Sequence, residues 1–569
     1  MAKKASTKKP VKAKKAAVDA IPVPYRLSAL PTVQHRAGLA GLVLELDFLR
    51  QSDPDGGAGQ MLGEIGRDEV TVTFTEAGLR ELFDHLYDAR KQTVSDGKKE
   101  FDVVKPAGHF LKHHLADGDG FWLNLWRRML WAIPRGRPTT RIPFNARADG
   151  KPCAEGPNAW KDLAKAASKQ QPVLDELSGA LLLGAQAVNA ETVPFQGRVE
   201  ENLLLHFWPL TTLTFVPVTL DRDGKASADG YALAVPDVSD LKSFRSHYPR
   251  MLRRLPVPKP GSRLLGGFPP DALIALPQQG ALELMEDLIA LAGDAAGDGY
   301  PASIRGVEVA AMVKEGQNAK SRGLTRIAAD PRRREEYRAV KASYRHPLFV
   351  EGLVRALLDG PRTPWYAYFG KSLQSREAAV FLHRDTKAVN LCDDAANKFQ
   401  SIQRNLARRR RLFETLAHRT GDPEMKQQSK QRSLEEVIYD LARVHVEVRA
   451  LNRLGKTDDE AKKLRRSRKD RNEGEAFPGI EKQQYATEKE KACTEFFLSF
   501  RSRRGHDFVA DFCNRFGPFE DTFLTRAEYL DLARELQRPA ADGEPETTQS
   551  GPDRIKTLSL LALSALSGR

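Results

Sequence analysis

The chain has 569 residues, of which 41% are hydrophobic and 29% are charged, enough for two to four domains with ordinary cores. Lysine and arginine exceed aspartate and glutamate by 14, which favours an acidic partner: nucleic acid first, an anionic membrane second. No run approaches the roughly 18 apolar residues of a membrane span. No apolar signal segment follows the basic N-terminus, and the four cysteines form no CxxC pair. We therefore expect an intracellular protein without a disulfide framework.

Residues 1–20 hold seven lysines and almost no large apolar side chains, which predicts a disordered basic tail. The rest of the chain divides into three parts by its hydrophobic pattern. Residues 21–345 predict a mixed α/β body, residues 346–424 a helical connecting region, and residues 425–569 a C-terminal α-helical bundle. The expected fold class is α+β.

Near the start of the body, the segment Leu30–Leu42 joins polar side chains that can bond a phosphate or a base edge to glycines that let a partner's backbone come close. The polar residues are Gln34, His35 and Arg36, and the glycines are Gly38 and Gly41. The apolar run that follows, Leu42–Leu49, predicts a strand.

This segment, the chain length and the α/β body followed by a basic helical C-terminus resemble the large subunit of type I CRISPR interference complexes (Cascade), in its myxobacterial subtype. The resemblance extends from Tyr25 to about Leu536, and a type I-B system is the expected context. It implies a non-catalytic subunit in the cytoplasm of a prokaryote, without a cofactor. That subunit recognises the protospacer-adjacent motif, helps open the target DNA and stabilise the R-loop, and helps recruit the helicase-nuclease.

The partners implied by the resemblance are a guide CRISPR RNA, target double-stranded DNA, the backbone and guide-end-capping subunits of the complex, and the helicase-nuclease. No membrane is implied. The N-terminal body would hold the guide-RNA end and the duplex next to the motif, and the helical domain would cradle the displaced strand. Sequence would be read mainly by RNA–DNA pairing, which leaves only the short motif to the protein.

Further along, the stretch 120–142 is both aromatic and basic. We expect Trp122, Trp126 and Trp131 to fill a core beneath the arginines, although stacking on bases is the alternative. The arginines near Pro134 and Pro138 lie in a predicted loop and are candidates for phosphate contact: Arg135, Arg137 and Arg141.

Two predicted strands, His206–Leu220 and Tyr231–Val235, are joined by a turn and predict a β-hairpin. Another strand is predicted at Ile304–Val313, and a basic, glycine-bearing loop at Lys314–Arg326. Because amide side chains read base edges and a loop can enter a groove, this loop is a candidate for reading the motif. The alternative is an ordinary surface loop. Its candidate residues are Gln317, Asn318, Lys320 and Arg322.

The C-terminal part carries the highest positive charge. Between Ser401 and Arg471 there are 20 basic and 11 acidic residues. Apolar residues from Phe399 to Leu416 follow helical spacing, with Arg404, Arg408 and Arg411 on the opposite side. A second basic helix, which opens with a Thr457–Glu460 capping box, contributes three further candidates: Lys462, Arg465 and Arg466. The alternative for both helices is a solvated surface without a ligand.

Capping boxes are also predicted at Ser433–Glu436, Thr487–Glu490 and Thr525–Glu528, and Gly455 is placed where a helix would end. Met425 is the only methionine after position 312. In several type I systems that this chain resembles, the small subunit arises by internal initiation inside the large-subunit gene. We therefore expect the C-terminal bundle to occur also as separate copies that start near Met425, although another start codon would move that boundary.

No catalytic constellation is complete in the sequence. The His506-Asp507 dipeptide is typical of metal-dependent phosphohydrolases, but further ligands are not found near it. A metal-dependent nucleic-acid enzyme centred on these two residues is the alternative function. A third possibility is a membrane-surface or scaffold protein that uses the basic tail and the apolar end Leu558–Leu566. We expect a protein that binds rather than transforms its ligand, with no metal site.

Overall fold

The computed structural model describes residues 19–95, 97, 99–132, 141–169, 173–178, 182–187, 194–228, 230–259, 265–292, 303–315, 318–382, 391–420, 432–468, 477, 479–516, 524–539 and 550–567. The predicted basic tail lies outside these residues except for positions 19 and 20. The chain forms two compact units. The N-terminal unit comprises Met1–Pro217, Asp229–Leu273 and Pro277–Ala329, and the C-terminal unit comprises Val218–Ala228, Ile274–Leu276 and Asp330–Arg569.

Thirteen strands are found in the described part of the chain. They are β1 Ile21–Arg26, β2 Leu62–Ile65, β3 Glu69–Phe74, β4 Ala89–Ser95, β5 Glu100–Pro106, β6 Leu174–Ser178, β7 Pro194–Arg198, β8 Leu213–Leu220, β9 Ala226–Ala228, β10 Tyr231–Val238, β11 Leu273–Ile274, β12 Ile304–Glu315 and β13 Asn318–Ala328.

Eleven α-helices belong to the N-terminal unit within the described residues. They are α1 Val33–Ser52, α2 Gly57–Gln60, α3 Glu76–Leu86, α4 His109–His114, α5 Phe121–Ala132, α6 Arg141–Ala148, α7 Glu155–Ala167, α8 Leu183–Ala187, α9 Val199–Asn202, α10 Leu241–Leu252 and α11 Gln279–Ala292.

The largest sheet has the strand order β11-β8-β10-β12-β13, and β9 pairs with β8. β10 is antiparallel to β12, with Ala232 opposite Ala311, and is antiparallel to β8, with Ala232 opposite Phe215. Because β10 is covered on both sides, all its residues after Tyr231 are buried. The hairpin predicted from the Thr/Val-rich run is confirmed, but His206 lies in the short 3-10 helix Leu203–His206 before the strand.

Helix α1 packs on β10 and on the short 3-10 helices Leu203–His206 and Trp208–Thr211. The hydroxyl of Thr32 caps it by accepting a hydrogen bond from the backbone N–H of His35, 3.3 Å away. Nearly every residue from Val33 to Leu49 is buried. The predicted strand Leu42–Leu49 is therefore wrong. An apolar run buried on all sides lacks the periodicity that separates a strand from a core helix.

Eleven α-helices also belong to the C-terminal unit within the described residues. They are α12 Pro331–Ser343, α13 Pro347–Asp359, α14 Phe369–Ser375, α15 Ala379–Leu382, α16 Leu391–Thr420, α17 Leu434–Arg453, α18 Asp458–Arg468, α19 Lys482–Ser502, α20 Gly505–Phe516, α21 Arg526–Gln537 and α22 Gly551–Ser567. With the mixed N-terminal unit, this all-helical end confirms the α+β fold class.

The last helix, α22, is the centre of the C-terminal unit. All of its residues from Ile555 to Leu566 are buried, and it contacts α14, α15, α16, α17, α19, α20 and α21. Ser564 Oγ donates a hydrogen bond to the carbonyl oxygen of Phe381 at 2.7 Å, and Arg554 Nη2 donates to the hydroxyl of Tyr366 at 2.9 Å. The apolar end of the chain thus docks on its own unit.

The predicted helix boundaries have mixed outcomes. The capping boxes at Ser433–Glu436 and Thr525–Glu528 are confirmed, and Gly455 has a positive φ of 81° just after α17. The box at Thr487–Glu490 is wrong, because Thr487 lies inside α19 and its hydroxyl donates to the carbonyl oxygen of Gln483 instead.

Candidate nucleic-acid interface

The polar residues of the Leu30–Leu42 segment lie in the interior of the N-terminal unit. Gln34 and His35 are only 3% and 4% exposed. The side-chain oxygen of Gln34 accepts a hydrogen bond from the backbone N–H of Leu183 at 3.1 Å. Burial lowers the pKa of His35 to about 4, so this imidazole is neutral at pH 7.

The side chain of Arg36 also forms its hydrogen bonds within the N-terminal unit. Its Nε donates to Asp237 Oδ1 at 2.6 Å, and its Nη1 donates to the carbonyl oxygen of Leu30 at 3.1 Å. The fully buried Asp237 carboxylate also accepts a hydrogen bond from Arg326. Burial and the charge of Asp237 raise the pKa of Glu308 on the neighbouring strand.

The glycines of this segment do allow a backbone to come close, but the backbone is the chain's own. A Cβ added at Gly38 would collide with the carbonyl oxygen of Leu204, and one added at Gly41 with that of Phe207. The small residues therefore let α1 pack against the short 3-10 helices. This packing turns Gln34, His35 and Arg36 inward, which is the opposite of the solvent-facing orientation that phosphate contact requires.

The stretch around Trp122 and Trp126 forms a core, as predicted. Both indoles are buried, and their Nε1 atoms donate to the carbonyl oxygens of Pro256 and Pro209 at 2.9 and 3.0 Å. The side chain of Trp131 is not described. Arg135 and Arg137 lie outside the described residues. Arg141 is the first residue of α6, and its side chain also lies outside the description.

The predicted motif-reading loop is instead the end of a long hairpin. β12 and β13 pair from Gly306–Ala328 to Glu315–Asn318, so residues up to Glu315 and from Asn318 onward are strands. Gln317 lies outside the described residues, and the side chains of Asn318 and Lys320 are not described. Arg322, next to a β-bulge, is exposed to solvent.

Helix α16 begins at Leu391, within the predicted helical region, and has two different halves. Its first half is packed: Cys392 is fully buried, and the ring of Phe399 stacks on Tyr439 with 4.7 Å between centroids. Burial raises the pKa of Asp394 in this half to about 6 and lowers the pKa of Lys398. Its second half is open, and Leu412 is 60% exposed. Of the predicted packed face, Phe399 is buried and Ile402 and Leu406 are half-buried, whereas the side chains of Phe413 and Leu416 lie outside the description.

Three of the predicted contacts, Arg404, Arg408 and Arg411, form an exposed row in the middle of α16. At 100° per residue they lie within about 60° of one another and span about 10 Å along the helix. Arg404 donates to the carbonyl oxygen of Gln400 at 3.4 Å. Within the described part of the chain, no carboxylate pairs with this arginine row. Exposed Arg409 beside it was missed as a candidate, although the run of four arginines at 408–411 signals it.

Other arginines of the C-terminal unit are bound by carboxylates. The pairs are Arg410–Glu436, Arg432–Glu528, Arg449–Glu495, Arg453–Glu495, Arg465–Glu447 and Arg515–Asp511. Burial favours a higher pKa for Glu528, but hydrogen bonds from Arg432 and Thr525 hold it at about 2.

Basic residues of the second predicted basic helix, α18, are also engaged within the protein, unlike the arginine row. Arg465 Nε lies 2.8 Å from Glu447 Oε2, with only 12% of its side chain exposed. Lys462 is half-buried and has an interaction partner, and the side chain of Arg466 is not described. Of these three candidates, none presents a free cation in the described residues.

The dipeptide His506-Asp507 lies exposed in the first turn of α20. Among the residues that the structure describes, no group of three His, Cys, Asp or Glu side chains is arranged to hold a metal ion. In the same residues no helix combines the length and apolarity that a membrane span requires.

A mixed N-terminal unit and a basic helical unit with an exposed arginine row fit a nucleic-acid-binding protein. Comparison with known families specifies the class. The model of the type I-B CRISPR Cas8b N-terminal domain matches residues 98–298, and that of the type I-B CRISPR Cas8b C-terminal domain matches residues 304–566. This is the class of type I-B Cascade large subunits. The chain belongs to the Cas8b family. No curated protein matches it.

The boundary between the two family models does not coincide with the boundary between the compact units. The second match begins at residue 304, so it includes the hairpin of β12 and β13. In the fold, however, these strands complete the sheet of the N-terminal unit through the pairing of β12 with β10.

Proposed function

We propose that this chain is the non-catalytic large subunit of its Cascade complex, which recognises the protospacer-adjacent motif, stabilises the R-loop and helps recruit the helicase-nuclease. The membership of the Cas8b family supports this role. Its partners are then the guide RNA, target double-stranded DNA, and the backbone and guide-end-capping subunits. The matching family models are those of type I-B and do not specify a myxobacterial subtype. That subtype, suggested by the sequence, therefore stays part of this proposal.

The observation that supports binding most strongly is the arginine row on α16. Exposed guanidinium groups without carboxylate partners attract phosphates and release counterions when they bind. In this proposal Arg404, Arg408 and Arg411 hold the sugar-phosphate backbone of the displaced strand, without reading its sequence. The interior residues Gln34, His35 and Arg36 are not part of this interface.

The test replaces all three arginines of the row with glutamine in the full-length chain. We expect binding to single-stranded DNA to weaken for every sequence tested. The slope of log affinity against log salt concentration should fall by about 2, at about 0.7 per phosphate contact. The control variant Lys161→Gln/Lys165→Gln/Lys169→Gln removes the same charge from exposed positions on and just after α7. Equal losses in both variants, or an unchanged slope in the first, would contradict the proposal.

The predicted small subunit, a separate copy of the C-terminal bundle, stays a proposal, but we place its first residue before Met425. A product that begins at Met425 lacks Tyr366, Phe381 and Cys392, which contact α22 in the full chain. It would expose the apolar face of α22 that these segments cover. We infer that a separate copy of the bundle that keeps this core starts before Tyr366, from a start codon other than that of Met425. Intact-mass measurement of the purified complex decides between the two starts, and a product beginning at Met425 would refute the inference.

A further inference from the structure

A second basic surface lies on the N-terminal unit, on and just after helix α10 and on α4. It consists of five exposed side chains, Lys112, Lys242, Arg250, Arg253 and Arg254, and we name it the α10 basic face. Lys242, Arg250 and Arg253 lie within about 80° of one another around α10. The opposite side of the helix packs into the core through Leu241, Phe244, Tyr248 and Met251.

The two helices that form this face are joined by a hydrogen bond. Arg253 Nη2 donates to His114 Nδ1 at 3.1 Å. Burial, together with the nearby His113 and Arg253, lowers the pKa of His114 to about 4, so its imidazole is neutral at pH 7 and can accept this bond. The bond orients Arg253 and leaves its positive charge uncompensated.

Two carboxylates beside α10 are already engaged, and neither contacts the α10 basic face. Asp47 on α1 accepts two hydrogen bonds from Arg245, at 2.8 and 2.7 Å. Asp240 caps the start of α10 by accepting from the backbone N–H of Ser243, and it also pairs with Arg67 at 3.0 Å. Lys242, Arg250 and Arg254 make no ion pair within the described residues. In the part of the chain that the structure describes, these three cations thus remain available for an anionic ligand.

The aromatic side chains of α10 do not belong to this surface, because Phe244 and Tyr248 are buried. Binding of unpaired bases requires exposed aromatic rings for stacking, whereas contact with phosphates requires only cations. From Lys242 to Arg253 the face extends about 16 Å along the helix. A duplex carries one negative charge for about every 1.7 Å of its axis, so this length covers several phosphates.

We propose that the α10 basic face binds the sugar-phosphate backbone of a nucleic acid without reading its sequence. This inference rests on the proposed function only in that the chain acts on nucleic acid. It assigns a separate surface, in a different unit from the arginine row on α16. The target duplex and the guide RNA share the chemistry that this surface recognises.

The test variant is Lys242→Gln/Arg250→Gln/Arg254→Gln in the full-length chain. These side chains make no ion pair that the substitutions would break, and Arg253 with its bond to His114 is kept. The matched control is the variant at Lys161, Lys165 and Lys169, which lie exposed on the same unit and also make no ion pair in the described part. Both variants lose three positive charges, so a difference between them reports on position and not on net charge.

Binding is measured with a mixed-sequence DNA duplex and with a single-stranded RNA of equal length, each over a range of salt concentrations. We expect the α10 variant to lose about tenfold or more in affinity for one of them, with the salt slope reduced by about 2 to 3. A loss with the duplex alone assigns the face to target DNA, and a loss with the RNA alone assigns it to the guide.

Equal losses in the α10 variant and its control would overturn the inference, because net charge alone would then account for them. An α10 variant that binds both nucleic acids like the wild type, but fails to bind an acidic protein or an anionic vesicle, would also overturn it. The arginine-row variant in the same assay separates the two proposals. If it loses binding and the α10 variant does not, the α10 basic face is refuted and the proposed function stands. If the wild-type chain binds neither nucleic acid, both fail.

Discussion

Helices α1 and α16 carry similar polar side chains in opposite environments. In α1 the residues Gln34, His35 and Arg36 are bonded inside the N-terminal unit, and Arg36 is paired with a fully buried carboxylate. In the middle of α16 the arginine row faces solvent without a carboxylate partner in the described residues. Both sets of residues were candidates for phosphate contact, and only one of them is accessible to a phosphate.

The difference comes from the residues beside the polar groups. Gly38 and Gly41 let α1 approach another part of the backbone so closely that the helix is covered on all sides. The second half of α16 has long side chains around its circumference, and Leu412 and Arg409 are both exposed there. In this protein the polar residues next to small residues belong to a tight helix contact, whereas the row of arginines among long side chains stays solvated.

The largest effect that tests this comparison is expected at Gly41. In Gly41→Ala the new methyl group meets the carbonyl oxygen of Phe207, so the backbone has to move, and we expect a loss above about 3 kcal/mol in the free energy of unfolding. Chemical denaturation measures it. The control Gly184→Ala places its methyl group 3.4 Å from the side chain of Leu324. It should be close to neutral, and a similar loss in both variants would refute the close-packing explanation.

A smaller effect is expected when one arginine of each helix is replaced by methionine in separate variants. Arg36→Met leaves the buried Asp237 with Arg326 as its remaining ion-pair partner, and we expect a loss of about 3 kcal/mol in the free energy of unfolding. Arg408→Met changes only a solvated side chain and should cost less than about 0.5 kcal/mol. Denaturant midpoints of the two variants provide the measurement. The comparison fails if Arg408→Met destabilises the protein as much as Arg36→Met.

The smallest expected effect is the pH dependence of the free energy of unfolding that neutral His35 causes. Its pKa is about 4 in the folded protein, against an ordinary value of 6.5, so the unfolded chain takes up a proton first as the pH falls. The stability contributed by neutral His35 is present above pH 6.5 and is lost between pH 6.5 and 4. At pH 5 this loss amounts to about 2 kcal/mol.

In His35→Gln this part of the acid sensitivity should disappear. The measurement is the free energy of unfolding of both proteins from pH 7 to pH 5, with the difference at pH 7 as the baseline for the lost hydrogen bond to Thr32. If the two curves stay parallel over this range, His35 is not held neutral by burial, and the inward orientation of the α1 residues is in doubt.

Several features of the fold were predictable because they depend on neighbouring residues. The capping boxes at Ser433 and Thr525 join side chains three positions apart, and both form as predicted. The strand at Ile304–Val313 and the α+β class follow from local periodicity. The arginine row on α16 was also predictable, since helical spacing alone places Arg404, Arg408 and Arg411 on one side.

Other features depend on contacts between distant residues and were not predictable. The run Leu42–Leu49 is apolar on every side, and only the packing of α1 decides that it is a helix. Whether an arginine is free depends on carboxylates elsewhere, as the pairing of Arg465 with Glu447 shows. The α10 basic face joins residues more than a hundred positions apart, which no local pattern brings together.

By itself the sequence determined the excess of positive charge, the helical end, the helix caps at Ser433 and Thr525 and the likeness to the Cascade large subunits, because each is a property of composition or of residues close in the chain. The tertiary structure alone decided which cations are accessible. An arginine attracts a phosphate only where no carboxylate already neutralises it and no neighbouring segment buries it. Both conditions are set by residues far away in the sequence.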